Sequence, residues 1–391
     1  MGVYHDKDGI TSSQLSVTLV MTVLGIGVLV LPRSLTVVTQ SSDGWLTILI
    51  GGLLFWLLCL WAFSLVKGEG HRHLFLILER RLGRWMSKVL AAGWLLYALL
   101  FSMIEVRYLA QALHIYLLER TPLAVTMALI LIPSSFVAYK GWIALCRLNQ
   151  LYIPIVALVV LIVVALSARP SFDWTNLLPL FHQGFWPVVE ALPYSIFSFL
   201  GFEVVLVLGA YLKRPEQGYR AIHLASGGLV LIYLLIFIMC LGTFGYRQVG
   251  NILFPFVALT ENIKFPGGFF ERFELLVFSA WILLLFTTIA AMHLLGYLAL
   301  QHLLDGRATR HLQESAPEAW HKRRISPFRM QLVLWFALFM YLFALWPHDF
   351  NHLISLAHLI SCWGFGFLLM TMLLLSLRRG KTRQRKEADS G

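Results

Sequence analysis

Apolar runs of about twenty residues follow one another along almost the whole chain, separated by short polar and basic stretches. A helix rising about 1.5 Å per residue crosses the roughly 30 Å hydrocarbon core of a bilayer in that length. Ten such runs are predicted, at about residues 12–38, 43–66, 88–118, 122–139, 150–168, 185–211, 222–245, 272–302, 328–346 and 352–377. They are called spans 1 to 10 below. The pattern predicts an all-α membrane protein with one membrane domain over 1–391, since no soluble domain fits between the spans.

Two runs are interrupted. Span 1 reads SSQLSVTLVMTVLGIGVLVLPRSL, with Gly25 and Gly27 flanking Ile26 and Pro32 following. Two readings fit this spacing: a broken helix whose freed amides and carbonyls hold a solute, or a small-residue packing seam. Span 6 carries Ser195, Ser198 and Gly201 mid-run, then Glu203. An ionisable residue there is costly and faces a cavity or a partner. Spans 1 and 6 open the two halves of a ten-span chain. Interruptions at matching positions point to the binding site of an inverted repeat, and five spans per half make the halves enter from opposite sides. The expected repeats are 11–168 and 185–377, followed by a basic tail at 378–391.

Composition agrees with this reading. The 391 residues are 59% hydrophobic and 13% charged, about half the charged share of a soluble domain. The net charge of +11 does not signal nucleic acid, because the basic residues sort by side. With a cytoplasmic N-terminus, 24 of the 31 Lys and Arg fall inside, the asymmetry that orients membrane proteins. Both termini are then cytoplasmic. Segment 71–88, HRHLFLILERRLGRWMSK, suits an interfacial helix on that leaflet or a loop with an apolar patch. The first apolar run lacks a small-residue cleavage site and is expected to be retained. Cys59, Cys146, Cys240 and Cys362 show no paired spacing and are read as buried hydrophobes.

Further polar groups lie inside the spans. Tyr97, Phe101, Glu105 and Tyr108 are spaced four, four and three apart and share one face of span 3. If that face meets the breaks, Tyr97 and Phe101 line a pocket, and Glu105 binds an amine, relays protons or organises water. The alternative is a protonated Glu105 bonded to a neighbouring helix. Arg107 lies about 200° round the helix from Glu105. Thr287 and Thr288 sit together in span 8, as helix stitches or as polar lining. His348 and His352 are four apart without a further clear ligand, so no metal is assigned. No nucleotide loop, triad or cofactor motif appears, which disfavours an enzyme.

GIGVLVLP in span 1, FSFLGFE in span 6 and LKRPEQGYRAI after it resemble the amino acid–polyamine–organocation transporter superfamily. Within it, ITSSQLSVTLVMTVLGIGVLVLP followed by SDGWLTILIGGLLF resembles the spore germination permeases, the B subunits of endospore germinant receptors. The resemblance implies a LeuT-type five-plus-five inverted repeat and an amino-acid-like ligand among spans 1, 3, 6, 8 and 10. It also implies A- and C-type partner subunits in the inner spore membrane. Helix-8 hydroxyls of sodium-coupled relatives meet helix-1 carbonyls around the ion, which gives Thr287 and Thr288 that role by resemblance. The lysine that some proton-coupled relatives carry in helix 5 is missing from span 5. The expected function is germinant sensing at the span 1/span 6 break. Gly25, Ile26 and Gly27 would meet a carboxylate, with Tyr97, Phe101, Ser198, Phe199, Leu200, Gly201 and Phe202 around the ligand. Glu105, Glu203, Thr287 and Thr288 would line the polar pathway. The alternative is a secondary amino-acid transporter working by alternating access.

Overall fold

The computed structural model describes residues 9–167, 172–261, 274–304 and 327–388. The basic residues expected in 305–326 lie outside them. Span 1 is two helices, α1 (Ser12–Leu24) and α2 (Gly27–Thr39), bent by 51° at the glycines. Thr11 starts α1 with a reciprocal capping box to Gln14, which satisfies two otherwise orphaned donors. Then come α3 (Gly44–Gly68), α4 (Leu74–Tyr116), α5 (Leu123–Lys140) and α6 (Trp142–Ser167). Span 6 is again divided, into α7 (Trp186–Glu190), α8 (Leu192–Phe199) and α9 (Val205–Leu208), with a 50° bend between Phe199 and Phe202. The chain continues through α10 (Gly218–Asn251), the short α11 (Pro255–Glu261), α12 (Glu274–Leu304), α13 (Pro327–Ala344) and α14 (Phe350–Ala388).

Seven single helices and the two bent pairs are long and apolar enough to cross a membrane, giving up to nine spans among the described residues. The ninth predicted span corresponds to α13, 18 residues long, within which Met330–Ala344 is an apolar helical stretch. Ten spans are expected from the sequence, and up to nine are counted among the described residues, with α13 as a further apolar helix.

Segment 71–88 forms helix from Leu74 onward, but Gly83 (φ 82°, ψ 170°) separates it from the rest of α4. Its Leu74, Phe75, Ile77 and Leu78 are buried against the bundle, while Trp85 and Val89 beyond the bend are exposed. Arg81 anchors this short helix. Its guanidinium donates to Glu69 Oε1 from Nε (2.8 Å) and Nη2 (2.7 Å), and to the Leu375 carbonyl.

The broken helices sit at the centre. α1 packs on α10, α6 and α12, while α2 packs on α10, α8 and α11. The most extensive packing joins α12 to α4. The two halves are also tied at their ends, where the Ile10 amide donates to the Tyr211 carbonyl (2.8 Å) and the Lys213 amide to the Ile10 carbonyl (3.0 Å).

Candidate functional site: two facing helix breaks

A helix stopped inside an apolar bundle leaves amides and carbonyls that must find partners. At the first break those partners are side chains from three other helices. Thr288 Oγ1, on α12, lies 3.2 Å from the Met21 carbonyl and 3.3 Å from that of Thr22. The Tyr233 hydroxyl, on α10, donates toward the Val23 carbonyl at 3.0 Å. Trp281 Nε1 donates to the Gly25 carbonyl at 3.3 Å. On the amide side, the Glu105 carboxyl of α4 lies beside the Ile26 amide. Gly25 lies against that carboxyl so closely that a Cβ there would stand 3.4 Å from each of its oxygens and 3.3 Å from Thr288 Oγ1. Ile26 itself is completely buried.

The second break is built the same way. Leu200 is extended, and Gly201 has φ 110°, a conformation that L-residues other than glycine avoid. The Gly201 amide donates to Glu203 Oε2 at 2.9 Å. The other oxygen, Oε1, accepts from the Tyr97 hydroxyl at 2.7 Å. The Ser198 carbonyl accepts from Tyr233, 2.7 Å away, so this one hydroxyl serves both breaks. The two breaks also touch directly: a Cβ on Gly201 would lie 3.1 Å from the Thr22 carbonyl oxygen. At Gly27 a Cβ would collide with the Tyr233 hydroxyl and stand 2.9 Å from Ser198 Cβ.

The structure gathers Gly25, Ile26, Gly27, Tyr97, Glu105, Ser198, Gly201, Glu203 and Thr288 around one buried region. Leu200 and Phe202 flank it and are almost wholly enclosed. Phe101 extends the aromatic wall, its ring 5.9 Å from Tyr97 and 5.7 Å from Phe197. Phe199 does not join that wall. Residues two apart on a helix are about 200° apart, so Phe197 faces α4 while Phe199 turns to Phe55 (5.7 Å) and Tyr233 (5.5 Å). Thr287 also differs from its neighbour, donating to Leu284 in its own helix at 2.8 Å. Arg107 leaves the site and donates to the Pro347 carbonyl at 2.9 Å. His348 and His352 stack with centroids 5.8 Å apart, and among the described residues no three potential ligands converge.

Tyr233, Trp281 and Phe197 were not among the residues expected here. Their only sequence signal is a polar-tipped or large aromatic side chain inside an apolar run. Such residues are so numerous in this chain that the signal does not discriminate. Among the described residues, the hydroxyls of Thr22 and Ser198 and Oε2 of Glu105 are buried without a hydrogen-bond partner. The centre of the bundle thus retains unused polar capacity.

A family model described as "Spore germination protein" matches residues 9–312. The chain belongs to that family. Its relatives include spore germination protein A2 of Bacillus subtilis, 27% identical over 354 residues that cover 90% of both chains. Spore germination protein GerLB of Bacillus cereus is 30% identical over 73% of this chain and 77% of its own. Among solved structures, MhsT in complex with L-phenylalanine superposes with a TM-score of 0.68 over 95% of this chain and 89% of its own, at 12% identity. A Na+-coupled sialic acid symporter in a substrate-bound, outward-open state gives 0.62 over 94% and 80%, at 14% identity. These likenesses give the fold: an all-helical, multi-pass membrane protein with a LeuT-type arrangement. Both bends of this spore germination family member fall in the runs where the sequence is interrupted.

Proposed function

We propose that the protein is the ligand-sensing membrane subunit of a spore germinant receptor, binding a small amino-acid-like solute between the two helix breaks. One observation carries the reading: two bent helices bring backbone amides and carbonyls to the same enclosed place, beside Glu105 of α4 and Glu203, with Tyr233 bonded to both breaks. Backbone that leaves the helix at this depth is a recurrent device for holding small polar solutes. The near-equal bends of 51° and 50° support reading 11–168 and 185–377 as inverted repeats. Family membership supports A- and C-type subunits as partners and the inner membrane of the spore as the location. The distribution of basic residues supports cytoplasmic termini. Differential affinity of the ligand for two arrangements of the breaks would bias the partner subunits.

The second reading is a secondary transporter, and it rests on the fold shared with the sialic acid symporter. Uptake of labelled amino acids by the purified protein in liposomes separates the two. Accumulation supports transport, whereas binding without uptake supports sensing. The site itself is tested by Gly25→Val and Gly201→Trp, which are expected to abolish the germination response while the protein remains in the membrane. An unchanged dose response for both would overturn the assignment.

A further inference from the structure

Glu105 occupies the place that the proposed ligand needs. The amides at the start of α2 carry the positive end of that helix's dipole, a natural seat for a carboxylate. Ile26 offers no side-chain cap there. The chain's own acid has reached across from α4 instead: the Glu105 carboxyl, 2% exposed, lies beside the Ile26 amide and against Gly25, where a Cβ would stand 3.4 Å from each of its oxygens. The fit is only half complete: among the described residues, Glu105 Oε2 has no hydrogen-bond partner and no salt bridge involves Glu105. A buried, unsatisfied carboxyl oxygen carries a desolvation penalty. The contact is therefore replaceable. A carboxylate from outside could take the amide in its place.

We infer that Glu105 is an internal stand-in for the carboxylate of the ligand, so that binding proceeds by exchange at the Ile26 amide. This rests on the amino-acid reading above and extends it, making Glu105 a residue that sets the ligand threshold and selects for carboxylate-bearing ligands. Glu203 holds the equivalent post at the other break but differs in kind. Both of its oxygens are engaged, by the Gly201 amide and by Tyr97, so it belongs to the resting framework.

The test uses acetate, a carboxylate without an ammonium group, as the probe. Full-length wild type, Glu105→Gln and Glu105→Ala are purified in nanodiscs, and thermal unfolding is followed in sodium acetate against sodium chloride at equal ionic strength. Vacating the seat should make acetate stabilising, most in Glu105→Ala, less in Glu105→Gln and least in wild type. An acetate effect equal in all three, or absent from Glu105→Ala, overturns the inference. If Glu105→Ala does not fold, the comparison of Glu105→Gln with wild type decides alone, and a Gln response no larger than wild type is fatal.

In spores, Glu105→Gln should respond to an activating L-amino acid at about tenfold lower concentration, equivalent to about 1.4 kcal/mol. The response to the matching decarboxylated amine should not shift. A rise in the required amino-acid concentration would instead make Glu105 simply the ammonium partner and overturn the exchange. The acetate measurement needs no germinant. A graded acetate effect with no responding amino acid refutes the amino-acid reading and keeps the seat, while the reverse pattern refutes the seat alone.

Discussion

Replacing Gly201 with alanine perturbs the second break in two separable ways. The backbone there has φ 110°, and holding a non-glycine residue in such a sparsely populated conformation costs about 1–3 kcal/mol. The new methyl group would also stand 3.1 Å from the Thr22 carbonyl oxygen and 3.1 Å from Val23 Cγ2. That carbonyl also accepts from Thr288 Oγ1 at 3.3 Å, which limits how far it can yield. Crowding of this kind adds about 1–3 kcal/mol. The expected loss is therefore about 2–6 kcal/mol, a large part of a typical folding stability. The internal control is Gly227→Ala in α10, where a Cβ meets nothing within 4 Å and the exchange favours the helix by about 0.8–1 kcal/mol. Denaturant unfolding of both variants in the same detergent gives the comparison. Gly201→Asn divides the effect further, since asparagine tolerates positive φ better but still collides with Thr22; it should remain well below wild type. A Gly201→Ala protein within about 0.5 kcal/mol of wild type would refute both the backbone conformation and the contact between the breaks.

Two further tests use the same measurement. Tyr233→Phe removes the hydroxyl that bonds both the Val23 and Ser198 carbonyls, and should cost about 1–3 kcal/mol while leaving the aromatic packing intact; a silent substitution would mean that the hydroxyl does not join the breaks. Thr288→Val should destabilise more than Thr287→Val, because Thr288 reaches the carbonyls of α1 and Thr287 bonds only within α12; equal effects would contradict that division.

The breaks were legible because glycine is unusual between long aliphatic runs, and because the same interruption recurs half a chain later. Glu203 was legible for a related reason: an acid in an apolar span stands out, and its place beside Gly201 linked it to the break. Its bond to Tyr97 was not legible, since the two residues are 106 positions apart and helical spacing says nothing about which faces of different helices meet. That Phe197 and not Phe199 meets α4 was not legible, for want of a helix rotation. Both are aromatic and next to the break, and only the packed orientation of α8 decides which one meets α4. Thr287 and Thr288 presented the same difficulty one residue apart. Tyr233 was beyond reach because a tyrosine in an aliphatic run most often marks nothing more than packing.

Tyr233 has one proton and two carbonyls that want it. While the bends lie together, the Val23 and Ser198 oxygens, 3.0 and 2.7 Å away, share that proton. A relative displacement of about an ångström would end the sharing, because a hydrogen bond weakens quickly beyond its normal distance. One carbonyl would keep the donor and the other would stand bare in an apolar surrounding. The arrangement is an arbiter: any rearrangement of the two halves must name a loser, and the losing carbonyl becomes the spot most in need of a polar atom from a ligand or a water.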